Sequence, residues 1–169
     1  ARSTGEGIGV YELDDAHAPT HISTLADSQE TYLKGVSALT STTVGGKTFL
    51  LSVSCLESGV SVHEIRSAGQ LVHRDSLGAA EHLPIERATG VDTVELAGKT
   101  YVLVSAFGTS SLSVLELTDS GQLSFIDQVA DTLDTRFEGA AALDTISVGG
   151  QVFIAVAGND GGVSLFQLL

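Results

Sequence analysis

The hydrophobic and polar positions of this chain fall into two kinds of short run. One kind is almost continuously apolar: Phe49-Leu-Leu-Ser-Val-Ser54, Tyr101-Val-Leu-Val-Ser-Ala106 and Phe153-Ile-Ala-Val-Ala157. Runs of that sort predict strands with both faces covered. The other kind alternates, with Val60, Val62 and Glu64 on one side and Ser61 and His63 on the other. That is the period of a β-strand. Between the runs lie Gly-Gly or Ala-Gly turns (45–46, 97–98, 149–150) and the turns Ser-Ala-Gly-Gln (67–70) and Asp-Ser-Gly-Gln (119–122). Glycine supplies the positive φ such turns need. Pro19 and Pro84 both fall between predicted strands, where no ladder hydrogen bond is lost. No segment reads as a helix.

The runs recur. Gly46, Gly98 and Gly150 stand 52 residues apart, and so do Phe49, Tyr101 and Phe153. Leu25, Leu77 and Val129 keep the same step, while Gly7, Gly59, Ser111 and Gly162 are spaced 52, 52 and 51. Each period predicts four strands, here called a to d. Strand a covers 36–44, 88–96 and 140–148, and strand b is the apolar run. Strand c is the alternating run, with a fourth copy at 8–13, and strand d covers 71–77 and 123–129.

Four antiparallel strands per unit of this length predict an all-β array of β-propeller-type blades. The single repeat array fills 1–169, with units at about 7–58, 59–110 and 111–161 and a further c strand at 162–169. About three blades fall short of the four to eight that close a ring. The expectation is therefore an incomplete ring, which suits a homo-oligomer or part of a longer chain.

Composition narrows the function. Eight Lys plus Arg oppose 21 Asp plus Glu, a net charge of −13, in a chain that is 43% hydrophobic. A nucleic-acid surface needs clustered cations, and a membrane span needs an apolar run this chain lacks. One Cys and no Met exclude a disulfide framework and a thiolate zinc site. Residues 1–7 carry no apolar signal core.

Alternation along a four-stranded unit places the b–c and d–a connections on one face. That rim collects Glu57, Asp160, Asp27, Glu30, Glu81, Glu86, Asp131, Asp134 and Glu138, opposed by Lys34, Arg87 and Arg136. Carboxylates are hard oxygen donors, so calcium or a cationic ligand suits such a face. Asp27 and Asp131 occupy equivalent positions, with Ala79 between, and are the first candidates for a metal. Capping of their own turns is the plainer role. Glu57, Glu81, His82, Asp134 and Asp160 are the binding-face candidates, and His82 beside Glu81 is the one histidine placed for chemistry. His21 and His73 share a slot with Phe125, and His63 shares one with Tyr11, Leu115 and Phe166, which marks packing positions. Cys55 reads as a partly buried, inert thiol. No catalytic residue set emerges.

The cadence of Gly-Val-Ser-Ala-Leu…Val-Gly-Gly-Lys-Thr-Phe-Leu (35–50), Ser-Gly-Val-Ser-Val (58–62) and Gly-Gly-Val-Ser-Leu-Phe-Gln-Leu-Leu (161–169) resembles tandem propeller-like repeats of large secreted bacterial proteins, which accompany hemolysin-type calcium-binding (RTX) segments. The calcium nonapeptide Gly-Gly-x-Gly-x-Asp itself is absent, with Gly158-Asn-Asp-Gly-Gly162 a partial echo. The blades also loosely resemble those of propeller lactonases. The resemblance implies an extracellular or cell-surface bacterial protein. The expected function is non-enzymatic: a binding, adhesion or structural module with a protein or glycan partner, or other copies of itself, and no nucleic acid or membrane insertion. A metal-dependent lactonase-like hydrolase and a purely structural assembly repeat are the alternatives.

Overall fold

The computed structural model describes residues 6–169, so residues 1–5 of the polar N-terminal stretch lie outside the described residues. Among the described residues thirteen strands form four antiparallel sheets. The first holds β1 (Gly7–Leu13) and β2 (Pro19–Ala26), a c–d pair. The second runs β3 (Val36–Val44), β4 (Lys47–Ser54), β5 (Gly59–Ile65) and β6 (Leu71–Gly78) in a–b–c–d order. The third repeats it with β7 (Ala88–Leu96), β8 (Lys99–Ala106), β9 (Ser111–Leu117) and β10 (Leu123–Ala130). The fourth has β11 (Ala142–Val148), β12 (Gln151–Ala157) and β13 (Val163–Leu168), an a–b–c set.

The sheets are blades laid side by side and not closed into a ring. Strand a matches its expected bounds in β3 and β7. In the fourth sheet it starts at Ala142 rather than at residue 140, because Gly139 is still turning at φ 58°. Pro19 opens β2 instead of lying between strands. A strand's first residue tolerates the missing N–H. Helical structure among the described residues is confined to two single 3-10 turns, Ser67–Gly69 and Ala79–Glu81.

Each blade turns a forward face toward the next blade in sequence and a rear face toward the previous one. Phe49, Leu51, Val53, Val60 and Val62 face forward from the second blade and meet Val102, Val104, Leu115 and Leu117 of the third. Val94, Leu103, Leu112 and Val114 face forward from the third and meet Val152, Ile154 and Val156 of the fourth. The b strand of the third blade, β8, is apolar on both faces because it serves two seams, with Val102 and Val104 in the one and Leu103 in the other. Burying one such Leu or Val side chain contributes about 1.5–3 kcal/mol.

Polar ties recur with the same period. Ser37 donates its hydroxyl to the Ala88 carbonyl at 2.7 Å, and Thr89 donates to the Ala140 carbonyl at 2.7 Å. Ala141 holds the third equivalent position without a hydroxyl. A bulge interrupts each c–d pairing, at Val10/Tyr11, Val62/His63 and Phe125/Asp127. The a–b turn tips project: a side chain added at Gly46, Gly98, Gly149 or Gly150 would meet nothing within 4 Å, although in the first of these turns Gly45 packs against Asp119 and the Lys47 ammonium donates to the Asp119 carbonyl at 3.0 Å.

Candidate functional site

The long d–a loops dip into the core and return over the rim. Leu33, Ile85 and Phe137 hold equivalent positions in them, and all three are buried. Fixing each loop takes a polar clamp. In the first loop the Asp27 carboxylate accepts hydrogen bonds from the Leu33 N–H at 3.1 Å and the Thr31 hydroxyl at 3.3 Å. In the third, Asp131 accepts from the Thr135 hydroxyl at 2.7 Å and the Phe137 N–H at 3.1 Å. The Thr135 hydrogen bond, then the N–H groups of Phe137 and Thr132 and the Arg136 charge, hold the Asp131 carboxyl below the usual carboxylate range.

The middle loop has Ala79 in the clamp position and uses Glu81 instead. Its carboxylate accepts from the Gly78 N–H at 2.8 Å and the Tyr32 hydroxyl at 2.6 Å. Burial, followed by that bond to Glu81, pushes the Tyr32 hydroxyl up to about 12. Glu57 accepts from the Lys34 N–H at 2.8 Å.

Asp27, Asp131, Glu57 and Glu81 thus lie on the rim, where their carboxylates hold loop backbone. The two metal candidates sit in separate loops. No group of three or more His, Cys, Asp and Glu side chains placed to hold a metal ion occurs among the described residues. His82 is exposed at the end of the 3-10 turn, in left-handed conformation at φ 64°. Asp134 and Asp160 are exposed at the tips of the third d–a and b–c loops. None of these three lines the rim cleft formed by Glu86, Arg87, Phe107 and Glu138.

That cleft lies between the third and fourth blades, about 510 Å³, lined by Glu86, Arg87, Phe107, Ser110, Glu138 and Asn159. The Arg87 guanidinium carbon lies 4.5 Å from the centre of the Phe107 ring. Its backbone is in the left-handed region at φ 53°, where the other two copies carry Gly35 at 67° and Gly139 at 58°. A non-glycine residue there costs of order 1 kcal/mol or more, so Arg87 is held against a local preference. Its N–H donates to the Ser58 hydroxyl at 3.0 Å, and its carbonyl accepts from the Phe107 N–H at 3.1 Å. Across the cleft the Glu138 carbonyl accepts from the Asn159 N–H at 2.6 Å. Cation, stacked ring, two carboxylates and an amide together present donors and acceptors on one concave wall.

Sequence reasoning placed Glu86, Arg87 and Glu138 on this rim but missed Phe107, Ser110 and Asn159 as lining residues. A signal was available: Cys55, Phe107 and Asn159 are one repeat position occupied by three unlike side chains, as are Lys34, Glu86 and Glu138 in part. A core position does not vary so freely in polarity.

Comparison with solved structures agrees with the architecture. The chain is similar, at TM-score 0.58 in each case, to a protein from Lactobacillus plantarum (17% identity, over 95% of this chain and 50% of that one), to an exo-β-1,3-galactanase from Phanerochaete chrysosporium bound to β-1,3-galactotriose (12%, 96% and 40%), and to a GH43 β-1,3-galactosidase (14%, 98% and 65%). The fold is of β-propeller type. The chain spans between two fifths and two thirds of the length of these neighbours. No family model matches the sequence, nor does any curated protein, so the likeness to RTX-associated repeats has no family match beside it.

Proposed function

We propose that the chain is a non-enzymatic propeller-type binding module of an exported or cell-surface assembly, and that the cleft between its third and fourth blades takes a neutral glycan. One observation carries this reading: Arg87 stands in a left-handed conformation where its repeat copies are glycine, stacked on Phe107 between the Glu86 and Glu138 loops. The backbone there favours glycine, and the guanidinium stacks on Phe107 facing the cleft, so a use for it as a ligand-facing group accounts for the side chain. Carboxylate, amide and guanidinium groups together suit vicinal hydroxyls, which both donate and accept. The volume falls within the range of small-ligand sites, about 300–1,000 Å³.

The test is calorimetric titration with β-1,3-galactotriose as the first probe, chosen because a protein of the same fold binds it. Binding should weaken at least tenfold in Arg87→Gly, which restores the repeat residue and relieves the backbone. Retained affinity in that variant, or no heat with a panel of neutral oligosaccharides, sinks the glycan reading and favours a protein partner or pure assembly. Adding calcium in the same titration tests the acidic rim, with Asp27→Asn and Asp131→Asn as the variants that should lose any calcium response.

A further inference from the structure

The segment Gly158-Asn-Asp-Gly-Gly162 forms the b–c turn of the fourth blade, between β12 and β13. It holds the one Asp-Gly pair of the chain, Asp160-Gly161, and the chain has no Asn-Gly pair. Counting by 52, Asp160 matches Leu56 and Gly108. All three are exposed, so exposure belongs to the turn tip and not to its place in the array. What differs is how the turn closes. In the second blade the Ser58 N–H donates to the Ser54 carbonyl at 3.1 Å, and in the third the Ser110 N–H donates to the Phe107 carbonyl at 3.3 Å. The step from Ser111 to Gly162 is 51 rather than 52, so the fourth turn is one residue shorter. Among the described residues neither its Gly161 N–H nor the Asp160 carboxylate makes a hydrogen bond. Gly161 stands at φ 76°, with nothing within 4 Å of where a side chain would be. Aspartates that precede serine elsewhere are held: Asp27 by the Leu33 N–H at 3.1 Å, Asp75 by the Leu123 N–H at 2.7 Å.

We propose that Asp160–Gly161 is a site of covalent modification, converting without an enzyme to an isoaspartyl linkage. The Gly161 nitrogen attacks Cγ of Asp160. The N–Cγ bond forms, a Cγ–O bond breaks, and one water leaves with the amide proton, closing a succinimide ring. Water then adds to the ring carbonyl that was the Asp160 main-chain carbonyl, and the bond from that carbon to nitrogen breaks. The main chain now runs through Cβ and Cγ. One water has left and one has entered, so the mass is unchanged and nothing is oxidised or reduced. Glycine offers the least hindered nucleophile. A carboxylate without a partner can swing toward it, and an N–H without an acceptor has no bond to give up. Exposed loop tips are where the chain tolerates such change. The extra main-chain carbon falls beside Asn159, whose N–H donates to the Glu138 carbonyl at 2.6 Å on the cleft wall, so a converted molecule presents a different wall. The freed α-carboxylate is the group that isoaspartyl methyltransferases esterify, which makes that class of enzyme the partner the converted turn fits.

The test is to hold the folded chain at neutral pH and body temperature for weeks, then digest it with a proteinase that cuts before aspartate and not before isoaspartate. Fresh chain should release residues 160–169 completely. Aged chain should yield a growing share of uncut 144–169 at unchanged mass. An isoaspartyl methyltransferase with labelled S-adenosylmethionine should mark that fragment above all others. Asp160→Glu, whose ring would be one atom larger and slower to close, should stay unmarked over the same period. Complete release of 160–169 from the aged chain overturns the proposal. So does a label that persists in Asp160→Glu, or one that falls equally on fragments carrying Asp27, Asp75 or Asp119.

Discussion

His63 is the side chain most out of keeping with its surroundings. It is fully buried on the rear face of β5, neither ring nitrogen has a hydrogen-bond partner, and its ring centre lies 5.5 Å from that of His73. Burial, and secondarily the charge of His73, lower its pKa from 6.5 to about 4. The folded state therefore favours neutral His63. Its contribution to stability is fully present above pH 6.5 and is lost as pH falls through about 4. Urea unfolding at pH 7 and near pH 4 should show a fall on the order of 2–3 kcal/mol from this group. His63→Phe should flatten that part of the profile, because Phe166 already fills the same repeat slot. An unchanged acid profile would assign the sensitivity elsewhere. The clamp residues give a second expectation at this scale. Asp131→Ala leaves the Phe137 N–H and the Thr135 hydroxyl without their acceptor and should lower the midpoint of chemical denaturation, whereas Asp131→Asn, which keeps an acceptor oxygen, should lower it less.

Among the elements, the strands were legible in the sequence and the loops much less so. A strand announces itself through a period of two and through glycine at its turns, and the 52-residue step fixed the order of a to d. Loop contacts depend on which side chain meets which backbone group across dozens of residues, and no local pattern encodes that. The Ser61 hydroxyl accepts from the Tyr32 N–H at 2.8 Å, and Ser164 accepts from the Arg136 N–H at 2.8 Å. In the middle copy Pro84 has no N–H to give, and the Gln128 amide takes over, donating to Ser113 at 3.0 Å and to the Pro84 carbonyl at 2.6 Å. Gln128→Ala should thus destabilise the third blade by about 1 kcal/mol, a loss that neither of the flanking loops would share. The rim was foreseeable as a set of acids. The cleft was not, since stacking of Arg87 on Phe107 joins a d–a loop to a b–c loop. The divergence in polarity of equivalent positions was the readable clue.

For the molecule as a whole, the repeat creates seams that are alike in apolar register and unlike at their rims. Stability in such an array is close to a sum of blade and seam contributions. A change in one cleft should therefore leave the other seams intact, which makes Arg87→Gly a clean probe of binding rather than of folding.

The free a–b turns give the array a second use. Gly98 and its counterparts Gly46 and Gly150 stand on the face opposite the rim, with φ between 76° and 80° and no neighbour in reach. A foreign peptide spliced in at such a tip would hang from a rigid hairpin at a fixed spacing, one on each of the three blades that carry an a–b pair. The chain is in that sense a ready-made display ruler, whose reading face and whose graduations lie on opposite sides.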